Sequence, residues 1–216
     1  MSFRRYLESK YTTACKMQQA IRRDQEMVAM LKNGPQDADL VRSWMRDYGL
    51  FQGITTPNRN AAVKRFLRFA AKHERTSRQP TDAEIKALYT GLLTALYHEV
   101  PRSWVSASSK LLWCLYPKTV VIYDAFVHRV LVVMQCIDDD LAGFPRIGAA
   151  PRIDGEADIA LAVQHYMNYQ SMVRRLLSVH RPLLNELRKT HNVTYPYDIR
   201  IVDKVLWMIG NSRQAY

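Results

Sequence analysis

Apolar residues recur at helical spacing through most of the chain, and helices are what the pattern predicts. Phe3 to Lys32 is rich in good helix formers, and Asn33-Gly34-Pro35 stops it. Asp37 to Tyr48 carries Leu40, Val41, Trp44 and Met45 at helical spacing. Gly49 to Asn58, with Gly53 and Pro57, reads as a loop, and Asn60 to His73 puts Val63, Phe66, Leu67 and Ala70 on one face. Thr81-Asp-Ala-Glu84 is a capping box, opening a helix to about His98 with Ile85, Leu88, Leu92 and Leu96 inward. Pro101 closes it. A short helix over Ala107 to Tyr116 is stopped by Pro117; Val120 to Tyr123 is extended, and Asp124 caps a helix reaching Ile137. Asp138 to Gly155 is a long loop. Glu156 to Ser171 and Met172 to Thr190 form two helices, or one continuous helix kinked at Pro182. Tyr197 to Ile209 is amphipathic, with the stripe Ile199, Val202, Leu206, Ile209 inward and Gly210 as its cap. The fold class predicted is all-α.

Composition leaves an ordinary globular domain. The 216 residues suffice for a real core, and 48% hydrophobic with 24% charged residues excludes a disordered chain. Three cysteines, Cys15, Cys114 and Cys136, make no disulfide framework and no C-x-x-C. The start lacks the apolar core of a signal peptide, and the longest apolar stretch, Val120 to Ile137, is broken by Asp124, His128 and Arg129. A soluble, cytoplasmic protein with no membrane partner is therefore expected. Six scattered histidines show no ligand spacing and no Gly-rich nucleotide loop occurs, so neither a metal nor another cofactor is expected.

Charge changes the picture. The net charge is +11, and residues 1–80 hold 16 basic against 7 acidic residues, residues 81–216 only 15 against 13. Concentrated positive charge attracts polyanions by counterion release, so the leading partner is nucleic acid. The helix over Asn60 to His73 carries a basic stripe of Lys64, Arg65, Arg68 and Lys72 opposite its apolar face. The polar segment Glu74 to Pro80 is the candidate boundary between a basic helical lobe, 1–80, and a second helical lobe, 81–216, unless the two are one continuous domain.

The chemistry concentrates between Trp104 and Val127. Lys110 falls in the first turn of the expected Ala107–Tyr116 helix, where dipole and desolvation both push an ammonium toward the free amine. That helix rises roughly 9 Å from Lys110 to Tyr116, and six extended residues span up to roughly 20 Å, so Asp124 can return beside Lys110. A lysine nucleophile with a nearby carboxylate is the pair needed to displace a base from deoxyribose through a Schiff base. Asp203, with Lys204 or Arg200, is expected as a surface pair.

Ser106-Ala-Ser-Ser-Lys110-Leu-Leu, Pro117 and Ile122-Tyr-Asp124-Ala-Phe-Val127 resemble the helix-hairpin-helix DNA glycosylase superfamily, in particular proteins with the 8-oxoguanine DNA glycosylase fold. The resemblance covers about 24 residues of 216. It implies a two-lobed helical glycosylase-like fold, with Lys110 attacking the anomeric carbon and Asp124 stabilising the sugar cation and assisting proton transfer. The superfamily's glycine-rich hairpin turn is replaced here by Val105-Ser-Ala-Ser-Ser109, so Ser106, Ser108 and Ser109 become the candidate phosphate contacts. Trp104, Trp113, Tyr116 and Tyr123 are candidates to stack on a flipped base.

Two other readings stand beside base excision. One is a non-catalytic DNA-binding module of the same fold in a repair or defence assembly. The other rests on Arg68…His73 and Arg175…His180, each an arginine and a histidine five apart, which resemble the motif of helical HEPN ribonucleases.

Overall fold

A computed structural model describes residues 2–73, 78–192 and 195–211. It is all-α: α1 (Phe3–Gln19), α2 (Arg22–Asn33), α3 (Ala38–Asp47), α4 (Thr56–Lys72), α5 (Asp82–Glu99), α6 (Val105–Leu115), α7 (Ala125–Ile137), α8 (Ile159–Val179), α9 (Arg181–His191) and α10 (Asp198–Gly210), with no strand among the described residues. Short 3-10 turns occupy Asp139–Leu141 and Glu156–Asp158.

Several boundaries differ from the sequence expectation, each for a local reason. The stretch Phe3–Lys32 is two helices, because at Ala20–Ile21 the backbone tightens to i→i+3 bonds, Ile21 N–H donating to Gln18 O at 3.2 Å. The loop expected to reach Asn58 ends at Thr55: Pro57 sits in the first turn of α4, where its missing N–H has no helical partner to lose. Pro182 does the same for α9, so the chain breaks at His180 and neither kinks nor breaks at Ser171. The capping box at Thr81 forms as expected, Thr81 N–H donating to Glu84 at 2.7 Å and Glu84 N–H to Thr81 Oγ1 at 3.3 Å. Asp124 caps α7 through a 2.8 Å bond from Phe126 N–H.

The chain folds into two compact units, neither contiguous in sequence. Unit 1 takes residues 1–21, 121–149 and 165–216; unit 2 takes 22–120 and 150–164. The charge step at residue 80 falls inside unit 2, where α4 and α5 pack on each other. Unit 1 holds 14 basic against 8 acidic residues and unit 2 holds 17 against 12, so the positive charge is shared between them almost evenly.

In unit 1, α10 packs on both α1 and α7. Phe3, Leu7 and Tyr11 of α1, Val127 and Leu131 of α7, and Val202, Val205 and Leu206 of α10 are buried there. Gly210 closes the α7–α10 contact: a Cβ there would stand 2.4 Å from the Phe126 carbonyl oxygen. It is thus the last residue of α10 and a close-packing residue, rather than a cap beyond the helix. Arg200 and Asp203 do pair, but deep in the core, at 6% and 4% side-chain exposure and not on the surface. In unit 2, α5 packs on α4 and α6, and α2 on α3 and α6, around Trp44, Phe66, Leu92, Leu96, Leu112 and Trp113. Tyr89 donates its hydroxyl to the Val105 carbonyl at 3.0 Å, fixing the start of α6 against α5.

Candidate lysine site and basic face

Every residue of α6 but Ser106 is buried, the polar Ser108 and Ser109 as well as the apolar Leu111–Leu115 run, and Lys110 goes in with them at 6% exposure. The helix begins two residues earlier than the sequence predicts, which moves Lys110 from the first turn into the second. Dipole effects fade beyond the first turn, so burial is what sets this lysine apart. Its ammonium donates to Ser106 Oγ, one turn back, at 2.6 Å, and stands 5.9 Å from the centroid of the Tyr48 ring. The Tyr48 hydroxyl bonds the Asp24 carboxylate at 2.8 and 2.9 Å, and Trp44 Nε1 donates to the same carboxylate at 2.8 Å. Asp24, only 2% exposed, therefore fixes two aromatic rings from α3 and its end, one of them against Lys110. Asp24 and Tyr48 were not among the residues picked out by sequence. The available signal was a carboxylate at i with Met27 and Val28 at i+3 and i+4, an acid on an apolar face.

Asp124 belongs to unit 1 and Lys110 to unit 2. Around Asp124 the backbone is held by Tyr169, whose hydroxyl donates to Ile122 O at 3.0 Å and accepts from Asp124 N–H at 3.4 Å. Next to it is a cluster that sequence reasoning missed. Tyr123 Oη lies 3.3 Å from His165 Nε2, the His165 and His128 rings are 5.1 Å apart, and His128 Nε2 bonds the Gly148 carbonyl at 2.8 Å. Burial, and then the neighbouring His128, hold His165 down at about 4. Burial also lowers His128, against the opposing pull of the Gly148 carbonyl. Burial, and then Asp124, push the Tyr123 hydroxyl up to about 12. Both shifts favour the neutral ring, and both histidines are buried.

The candidate stacking residues are core residues. Trp104, Trp113 and Tyr123 are 1%, 0% and 6% exposed and Tyr116 is 9%, because the apolar α6 segment and its flanks are enclosed. Ser108 and Ser109 are also fully buried, with Ser109 donating to the Ser106 carbonyl at 2.8 Å, so their side chains offer no phosphate contact. Ser106 is half-buried and serves Lys110.

The basic stripe is partly as expected. Lys64, Arg68 and Lys72 are exposed at i, i+4 and i+8 along α4, and among the described residues none has an ion pair. Arg65 is instead tied to Glu99 at 2.7 Å. A shallow groove of about 350 Å³ runs along α4, lined by Arg65, Arg68, Phe69, Ala71, Lys72 and Ala95. Of the two arginine–histidine pairs, Arg175 Nε donates to the Asp140 carbonyl at 3.3 Å and His180 bonds the Asp140 carboxylate at 2.9 Å. Arg68 points to solvent while His73 packs its ring 4.3 Å from Phe69.

Among the described residues no cluster of histidine, cysteine and acidic side chains could hold a metal, and no helix is long and apolar enough to cross a membrane. Comparison with protein-family models, with curated proteins and with solved structures finds no match to this chain.

Proposed function

We propose that the protein is a DNA-binding base-excision glycosylase that works through a lysine Schiff base, with Lys110 as nucleophile. One observation carries the reading: a lysine buried to 6% exposure, its amine held by a hydroxyl one turn away and walled by an aromatic ring. Lysine is among the residues least often buried, and a solvated surface role does not fit this one. The exposed stripe Lys64, Arg68, Lys72 supports DNA as the substrate, since it offers sequence-independent phosphate contacts at helical spacing.

In the proposed reaction the Lys110 ammonium first gives up a proton to solvent, the free amine attacks C1′ of the deoxyribose, the C1′–N bond breaks, and the base departs with a proton. Ring opening leaves an imine between Nζ and C1′. Water hydrolyses it, or loss of a C2′ proton expels the 3′ phosphate and nicks the strand. Tyr48, ordered by Asp24, is a positioning residue for the amine. Asp124 is assigned the carboxylate role by the sequence resemblance and is tested separately by Asp124→Asn.

The test is base release and strand incision on a panel of duplexes carrying oxidised, alkylated or deaminated bases, with wild type beside Lys110→Gln. Lesion-dependent release that is lost in Lys110→Gln, with DNA affinity kept, is the expected result. Tight salt-sensitive binding without release from any duplex would turn the reading to a non-catalytic DNA-binding module, whose support is the α4 stripe alone.

A further inference from the structure

Unit 1 carries a surface ladder of two adjoining aromatic rings with a cation at each end. The Lys204 ammonium stands 3.4 Å from the centroid of the Trp207 ring, the Trp207 and Phe126 rings meet edge-to-face at 6.0 Å, and the Arg129 guanidinium lies 4.7 Å from the Phe126 ring. Both rings are partly exposed, unlike Trp44, Trp104 and Trp113, none of which is more than 1% exposed. The two cations are also distinct. Arg4, Arg23, Arg42, Arg65, Arg78, Arg152, Arg188 and Arg200 are each paired with an acid, whereas among the described residues no carboxylate lies within ion-pair distance of Arg129 or Lys204.

The backbone brings the two rings together. Asp124 starts α7 two residues before Phe126, and Gly210 brings α10 onto the Phe126 carbonyl, which sets Trp207 on Phe126. A pair of partly exposed rings with a cation at each end suits unstacked bases joined by phosphates, with π faces for the rings and charges for the flanking cations. An apolar groove lined by Val130, Val133, Met134, Ile137 and Ile209 adjoins Arg129, but the ring pair itself is flanked by cations, which suits a polyanion.

We propose that Phe126 and Trp207, flanked by Arg129 and Lys204, form a stacking platform for unpaired nucleotides of single-stranded DNA. The proposal rests on the DNA reading above but not on the Lys110 chemistry. Burial and then Arg200 bring the Lys204 amine down to about 8, against the opposing pull of Asp203 and Asp124.

Trp207 is the only tryptophan with a partly exposed ring, so it reports on itself. The experiment titrates an 18-residue oligo-dT into the full chain and follows tryptophan fluorescence together with anisotropy of the labelled strand. Quenching that saturates with binding is expected, as is ultraviolet cross-linking of a 5-bromouracil strand to the Phe126 or Trp207 peptide in the unaltered protein. Trp207→Leu is expected to abolish the quench and weaken binding roughly fivefold or more, as removal of one stacked base would. Arg129→Ala and Lys204→Ala should each reduce the salt slope by about 0.7, the value for one phosphate on a single strand. Strand binding without quench or cross-link overturns the platform and leaves the DNA reading standing. No binding of single or double strands overturns both. Quenching by oligo-rU with none by oligo-dT would make the site one for RNA and overturn the proposal as stated.

Discussion

Gly210→Ala is the sharpest test of how unit 1 is built, because elementary arguments give it opposite signs. In an unconstrained helix the change is favourable: alanine has the higher helix propensity and a less costly unfolded state, together up to about 1 kcal/mol. Here the new Cβ would stand 2.4 Å from the Phe126 carbonyl oxygen, 2.8 Å from its carbon and 3.0 Å from Val130 Cγ2. Real Cβ contacts do not come under 3.0 Å, so α10 must withdraw from α7 by at least about half an ångström. The first two atoms are backbone and cannot rotate away. Overpacking of this kind costs roughly 1–3 kcal/mol, so the net expectation is destabilisation by about 1–2 kcal/mol. Urea denaturation followed by circular dichroism measures it. Gly155→Ala is the control, with extended φ of −151° and nothing within 4 Å of a Cβ, and should change stability by less than about 0.5 kcal/mol. A Gly210→Ala protein as stable as wild type, or more so, would refute the close approach of α7 and α10.

Three further outcomes follow from the same geometry. Asp24→Ala strands the Trp44 N–H and the Tyr48 hydroxyl away from their shared acceptor and should cost about 2–4 kcal/mol in urea denaturation, while Asp24→Asn, which keeps an acceptor, should cost less. His165 is held near 4, below its unfolded value, so the unfolded state binds more protons as pH falls from about 6.5. Stability should therefore be full above that range and decline toward pH 4, falling by at most about 2 kcal/mol between pH 7 and 5, and His165→Gln should flatten the decline. Replacing Lys64, Arg68 and Lys72 together by alanine should lower the salt slope for duplex DNA by about 0.9 for each phosphate that is no longer neutralised, equally for all sequences, as read by anisotropy at several salt concentrations.

What could be read from sequence was what is local. The capping box at Thr81, the Asp124 cap and the stop at Pro117 depend on residues within a turn of each other, and all three form. The breaks at Ala20–Ile21 and His180 carry no glycine, and the prolines that looked like breakers at Pro57 and Pro182 open helices. The division into units was not legible, because it depends on three separate segments coming together in unit 1 and two in unit 2. Lys110 stood out as a cation on an apolar helix. Its setting did not, since Tyr48 comes to it from 62 residues away along the chain and is held by Asp24, 86 residues away. The aromatics beside Lys110 looked like stacking residues, yet they are core, because the segment that carries them is enclosed. Partly exposed rings lie instead where α7 and α10 meet, a juxtaposition that neither helix announces by itself.

Borohydride trapping on a duplex with a single abasic site, followed by peptide mapping of the adduct, tests the central proposal most directly. Wild type is expected to form a covalent protein–DNA adduct carried by the Lys110 peptide, and Lys110→Gln to form none while binding the duplex with unchanged affinity. An adduct mapped to another lysine, or no adduct despite tight binding and base release, would contradict Lys110 as the nucleophile.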